Sequence, residues 1–261
     1  MKYNTYERYY QVVIAGYGFV GKAVEAGLKD YCKVDWVDTA YSSDTVYDYN
    51  PTCVIIAVST PPREDGACDM TNVIDVVSQC EVDTPILIKS TISVEGWRAL
   101  KQQFPEHSIT FSPEFLRANS ATEDFLNQEH IYLGGDNTEY WQQLFNNAMD
   151  KPCVILNAEE LILAKQLRNS FLATKVTFFN QVNDLCEQLD LDYEQVRQAV
   201  TDDERIGESH SEISKQGGFG GHCFPKDTEA LVYSALHHGC SQTLVQEAIR
   251  YNKKKTKPGN E

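Results

Sequence analysis

The run Gly217-Gly218-Phe219-Gly220-Gly221-His222-Cys223-Phe224-Pro225-Lys226-Asp227 joins the residue types needed for covalent carbonyl chemistry. Its four glycines let a backbone approach a ligand closely and expose its amides. Cys223 stands four residues before Asp227, with Lys226 between them. A thiol beside a lysine can be held partly as thiolate, the form that attacks a carbonyl carbon. The ordinary alternative is packing, because glycine-rich turns often stand beside buried cysteines that do no chemistry.

A second pair of chemically able residues is Lys165 and Asn169, four apart in a helical pattern and so on one helix face. A cation and an amide stacked this way can together hold an alcohol oxygen or a water. A solvated helix face would show the same spacing. The flanking Leu163, Leu167, Phe171 and Leu172 predict that this part of the helix is largely covered.

The elements that must position these residues begin with Val12-Val13-Ile14-Ala15, read as a buried strand. It runs into Gly16-Tyr17-Gly18-Phe19-Val20-Gly21 and a helical stretch, Lys22–Leu28. Strand, glycine turn and helix in that order form a dinucleotide-binding fingerprint, with the helix N-terminus facing the phosphates. A second strand, Val34–Val37, ends at Asp38, where a carboxylate can accept hydrogen bonds from ribose hydroxyls and repel a 2′-phosphate; NAD is therefore favoured over NADP. Cys53–Val58 reads as the next strand and stops at Ser59-Thr60-Pro61-Pro62. Further strands at Pro85–Ile88, Ile109–Phe111 and Ile131–Leu133 lead to Lys89-Ser90-Thr91, to Ser112-Pro113-Glu114-Phe115-Leu116 and to Gly134-Gly135. Strands alternating with helical segments predict a parallel sheet whose strands all deliver polar loops to one edge.

After about residue 155 the pattern turns helical. One long helix is expected over Ala158–Leu189, then shorter ones over Tyr193–Val200, over Thr228–His238 and from Gln242. The fold class is therefore α/β: a Rossmann-type doubly wound parallel sheet over 1–155, followed by an all-helical central domain over 156–252. A basic tail over 253–261 is expected to be disordered.

The net charge of −15 argues against nucleic acid or an anionic membrane as partner. No apolar run is long enough for a membrane span, and Met1–Tyr10 carries no apolar core of a signal peptide, so a cytoplasmic protein is expected. The eight cysteines include no Cys-x-x-Cys pair and no short Cys/His cluster, so no metal site is expected. Seven of them read as reduced packing residues, and only Cys223 has a glycine-rich, polar setting.

Taken in order, these motifs, together with Arg205-Ile206-Gly207, resemble the nucleotide-sugar dehydrogenases that oxidise UDP-glucose, GDP-mannose and UDP-N-acetylhexosamines. The resemblance runs from about Tyr10 to Asn252. It implies oxidation of a sugar C6 alcohol to a carboxylate in two steps with NAD, most naturally UDP-glucose to UDP-glucuronate. Cys223 would form a thiohemiacetal and then a thioester, Lys165 would stabilise the oxyanion, and Asn169 would orient an oxygen or water. Asp227 would position or deprotonate that water, with Thr91 and Glu114 beside the reactive centre. The implied cofactor set is Gly16, Gly18, Phe19, Val20, Gly21, Asp38, Ser59, Thr60, Pro61, Thr91 and Lys226. The implied substrate set is Glu114, Phe115, Leu116, Lys165, Asn169, Arg205, Gly217, Phe219, Gly220, Gly221 and Cys223, and a homodimer is implied as well.

Three departures from the family pattern stand out. Ala118 replaces the second glutamate of the usual Glu-Phe-Leu-x-Glu, the segment between Asp38 and Cys53 is short, and the family's C-terminal nucleotide-binding domain is expected to be missing. Two other readings therefore stay open. One is a one-step β-hydroxyacid-type dehydrogenase, which would not use Cys223. The other is a non-catalytic or accessory NAD-binding protein that needs a partner.

Overall fold

The computed structural model describes residues 10–215, 217–221 and 223–256; the residues before Tyr10 and the expected tail from 257 onward lie outside them. The chain divides into two compact units. One comprises the described residues up to Pro61 and Cys68–Lys165, and the other comprises Pro62–Ala67 with the described residues from Gln166 onward. The boundary thus falls within a helix rather than at 155, and a short loop after the third strand belongs to the second unit.

The first unit is built on a seven-stranded sheet: β1 (Gln11–Ala15), β2 (Lys33–Val37), β3 (Cys53–Ile56), β4 (Ile86–Ile88), β5 (Ile109–Phe111), β6 (Ile131–Gly135) and β7 (Cys153–Ile155). The strand order is β2-β1-β3-β4-β5-β6-β7. In β1 and β3, consecutive residues are buried on both faces, as a sheet covered by helices on each side requires. One face packs α2 (Thr71–Ser78) and α3 (Val94–Gln103) through Val73, Val77, Trp97 and Leu100. The other packs α1 (Phe19–Leu28), α4 (Ala121–Asn127) and α5 (Thr138–Met149) through Val24, Leu28, Phe125, Trp141 and Phe145.

Two expectations about this sheet are corrected. β6 pairs antiparallel with β5, and β7, which the sequence reading did not foresee, runs parallel to β6. The apolar run Ile131-Tyr132-Leu133 marks a strand but carries no direction. The connection from β5 spends its residues on a loop, a 3-10 turn over Ala118–Ser120 and the short α4, which lies against α1. Nothing in it returns the chain to the far edge, so Gly134-Gly135 sits at the opposite edge from the other strand-end loops.

The helix α6 (Ala158–Leu189) has the expected bounds; its first turns belong to the first unit and the rest to the second. The second unit adds α7 (Tyr193–Thr201), α8 (Phe224–His237) and α9 (Thr243–Lys255), with Asp192 capping α7 through Glu194 N–H and Gln195 N–H. Its core is small: Ala173, Val176, Phe219 and Ala248, with Phe224 and Ile249 against them. The expected disorder from 253 is also corrected, because Lys253–Lys255 form the last turn of α9. Lysines suit the negative end of a helix, and here Lys253 pairs with Glu229 while Lys255 pairs with Asp184.

Candidate active site

At the end of β1, Gly16 adopts φ +95° and donates its N–H to Val37 O at 2.9 Å. A Cβ there would lie 2.5 Å from Ala57 O, and one on Gly21 would lie 2.1 Å from Gly16 O. Both positions therefore need glycine for packing. Gly18 differs, since nothing lies within 4 Å of its Cβ position and it is the N-cap of α1. An open approach to exposed helix N–H groups is what a pyrophosphate requires, so this turn fits a dinucleotide. The helix starts at Phe19, inside the fingerprint, and the side chains of Phe19 and Val20 pack against the core, leaving their backbone to face a ligand.

Asp38 follows β2, accepting from Tyr17 N–H at 2.7 Å and from Ala40 N–H at 2.9 Å. These bonds aim its carboxylate across the turn. The Tyr17 ring stacks on Trp36, centroids 4.2 Å apart, and its hydroxyl donates to Glu25, which pushes the phenol up to about 12. After β3, Ser59 accepts from Asn72, Thr60 donates to Thr91 O at 2.6 Å, and Pro61 O accepts from Asp69 N–H. The Thr60–Thr91 bond ties the loops after β3 and β4 together.

Beyond β5, the buried Glu114 accepts from Lys165 Nζ at 2.7 Å on one oxygen and from Leu116 N–H at 2.8 Å on the other. Phe115 packs edge-on against Tyr132. Lys89, at the end of β4, is also buried and donates to Ser112 Oγ at 3.1 Å. Burial pulls its ammonium down to about 8, while the Glu114 carboxylate holds the proton on and the Lys165 cation works against it. Lys89 lies outside the expected site residues, and its signal in the sequence is a lysine directly following a fully apolar strand. Ala118 is exposed, outside this cluster.

In the second unit Cys223 is the N-cap of α8. One turn on, the fully buried Asp227 accepts from Asn169 Nδ2 at 2.5 Å, and Lys226 Nζ lies 3.5 Å from its other oxygen. Lys226, expected among the cofactor residues, thus faces Asp227. Arg205 is exposed and paired with Asp203, while Lys175 holds the carbonyls of Ile206 and Gly207 at 2.7 and 2.9 Å. In the glycine run the N–H groups of Gly217, Gly218 and Phe219 donate to Ser214 O, Ser214 Oγ and Asn252 Oδ1. Those three amides are engaged within the protein.

The expected catalytic residues fall into two sets, Thr91, Glu114 and Lys165 in the first unit and Asn169, Cys223 and Asp227 in the second. The structure brings Glu114 to Lys165 and Asn169 to Asp227. The burial expected of α6 holds for Lys165 and Asn169, but Leu163, Leu167 and Phe171 are exposed, Phe171 at 69%. Neighbours in sequence on a helix point elsewhere, so apolar flanks do not report on the face between them. The described residues form no disulfide; burial pushes the Cys53 and Cys80 thiols up to about 12, and the half-buried Cys153 packs against the core, whereas Cys240 is exposed, against the expectation of a packing residue.

Comparison with known proteins decides the family. Residues 20–148 match the UDP-glucose/GDP-mannose dehydrogenase family, NAD binding domain, and residues 159–254 match the same family's central domain. The chain belongs to this family. A UDP-glucose 6-dehydrogenase of Rickettsia felis is 31% identical over 88% of this chain and 55% of its own length. One from Rhizobium meliloti is 34% identical over 76% of this chain and 49% of its own. The chain spans about half the length of these curated relatives. A UDP-glucose dehydrogenase structure from Pyrobaculum islandicum superposes with a TM-score of 0.79 at 24% identity, covering 94% of this chain and 68% of its own, and so shares the fold.

As a member of this family with its NAD binding domain, the chain uses NAD as cofactor. Among the described residues no group of three or more His, Cys, Asp or Glu side chains could hold a metal, and no helix is long and apolar enough to cross a membrane.

Proposed function

We propose that the chain oxidises the C6 alcohol of a nucleotide sugar, UDP-glucose in the first instance, to the carboxylate through a covalent adduct on Cys223. The observation that carries this reading is the start of α8, where Cys223 stands at the N-cap position and Asp227 is buried one turn later on Asn169. A helix N-terminus favours negative charge, which suits an attacking thiolate. Bound NAD supplies hydride acceptance for each of two oxidations. Gly18 and the first turn of α1 would receive its pyrophosphate, and Asp38 its ribose.

Lys165 would carry positive charge against the alcohol oxygen as it becomes alkoxide and carbonyl. Cys223 would add its sulfur to the C6 carbonyl carbon of the aldehyde, forming a thiohemiacetal whose oxidation leaves a thioester. A water would attack that thioester with Asp227 and Asn169 aligning it, releasing carboxylate and regenerating the thiol. Glu114 would hold Lys165 in place, and Thr91 would stand at the same sheet edge. Arg205 and the glycine run would meet the diphosphate and sugar.

The test is turnover of UDP-glucose and other nucleotide sugars, followed by NADH absorbance against sugar consumed. The two-step reading expects about two NADH per sugar. Cys223→Ala separates the alternatives: it abolishes carboxylate formation in the two-step enzyme but leaves turnover intact in a one-step dehydrogenase. NAD binding without turnover of any sugar, with turnover restored by a separate protein, would establish the accessory role instead.

A further inference from the structure

We propose that Asn252, in the last turn of α9, is a positioning residue for Cys223. The inference rests on reading Cys223 as the nucleophile. The Asn252 side-chain amide meets the Phe219 backbone twice, accepting from Phe219 N–H at 2.8 Å and donating to Phe219 O at 2.8 Å. Asn252 and Phe219 are both buried. A primary amide offers one acceptor and donors in the geometry of a peptide group, so the contact works like a rung between paired strands. Aspartate lacks the donor, and leucine would leave both peptide groups of Phe219 unsatisfied in a buried place.

Gly218 is shaped for this contact. A Cβ there would lie 2.1 Å from Asn252 Oδ1. On the other side of Gly218, Ser214 Oγ donates to Gly218 O at 2.7 Å and accepts from Gly218 N–H at 3.2 Å. Two side chains therefore hold successive residues of the run that leads into Cys223. The Phe219 ring meets Phe224, the first residue of α8, at 6.5 Å between centroids, and both pack with Ala248 and Ile249 of α9.

Asn252 is itself held firmly. Tyr251 donates to Asp184, Lys255 pairs with the same carboxylate, and Lys253 pairs with Glu229 of α8. The last turn of α9 thus joins α6, α8 and the glycine run, and the backbone that presents the thiol takes its position from Asn252.

The test reads the thiol without requiring turnover. Cys223 alkylation by iodoacetamide is measured against pH by peptide mass spectrometry in the wild type, Asn252→Ala, Gly218→Ala and the double variant. Asn252→Ala is expected to change the Cys223 rate by about five-fold or more and to shift its pH midpoint. Cys32 and Cys53, and NAD affinity by calorimetry, should stay as in the wild type. Gly218→Ala should reproduce the effect alone yet add nothing in the Asn252→Ala background, because it acts by displacing that amide. If Asn252→Ala does not fold, Gly218→Ala still reports on the same contact. A Cys223 profile that superimposes on the wild type in both single variants overturns the proposal, as does a Gly218→Ala effect of equal size in both backgrounds. Turnover that survives Cys223→Ala, in a protein that still shows the coupling, would refute the nucleophile reading while the Asn252 contact to the thiol's backbone stood, so the two fail separately.

Discussion

Lys165 Nζ lies 2.7 Å from Glu114 Oε1, with only about a twentieth of either side chain exposed. Removing one member of a buried pair leaves an uncompensated charge, at a cost of about 3–5 kcal/mol. Lys165→Met and Glu114→Gln are each expected to destabilise by that amount in urea titrations. The double variant should be markedly more stable than the sum predicts. Additive losses would mean that the two groups do not interact.

Lys89 makes stability depend on alkaline pH. Burial lowers its folded-state value from 10.5 to about 8. Below pH 8 both states hold the proton and Lys89 contributes no slope. Between about pH 8 and 10.5 the unfolded chain still binds a proton that the folded chain has released, so stability climbs with pH. The rise amounts to about 3 kcal/mol across that window. Denaturation midpoints of the wild type and Lys89→Met, compared from pH 7 to 10.5, should diverge in this sense, and parallel curves would contradict it.

The fingerprint glycines should separate by role. Gly18 has negative φ and open space at its Cβ position, so Gly18→Ala is expected to leave the melting temperature within a degree or two while weakening NAD binding about ten-fold or more. Gly21→Ala drives a methyl into Gly16 O and should lower the melting temperature sharply. Equal effects of the two substitutions on stability would contradict this division.

Trp36 offers an optical reporter. It stacks on Tyr17, whose N–H binds Asp38, while Trp97 and Trp141 are buried in the two cores. NAD titration should change tryptophan emission, and Trp36→Phe should remove most of that change with affinity little altered. A signal that survives Trp36→Phe would place the reporter elsewhere.

The fingerprint turn, α6 and the start of the central unit were legible because each depends on local rules: β-branched runs, glycine placement and a 3.6-residue period. The direction of β6 was not, since strand pairing is decided by where the connecting chain ends. The Asn169–Asp227 bond joins residues 58 apart, and the Asn252–Phe219 contact joins residues 33 apart. Neither leaves a pattern along the chain. The helical lysines 253–255 were misread for a related reason: their partners Asp184 and Glu229 are distant, so composition alone suggested a loose tail.

The reversal of β6 and β7 has a geometric cost that α6 absorbs. Running against β1, β3, β4 and β5, β7 ends at the sheet edge far from Glu114. From Ala158 to Lys165 the helix rises about 10 Å at 1.5 Å per residue, close to the height of three-residue β5 at about 3.3 Å each. The opening two turns of α6 therefore act as a ruler, carrying a lysine from one rim of the sheet to the level of the carboxylate at the other. One inserted residue would turn that lysine by about 100° around the helix, and the two charges would no longer meet.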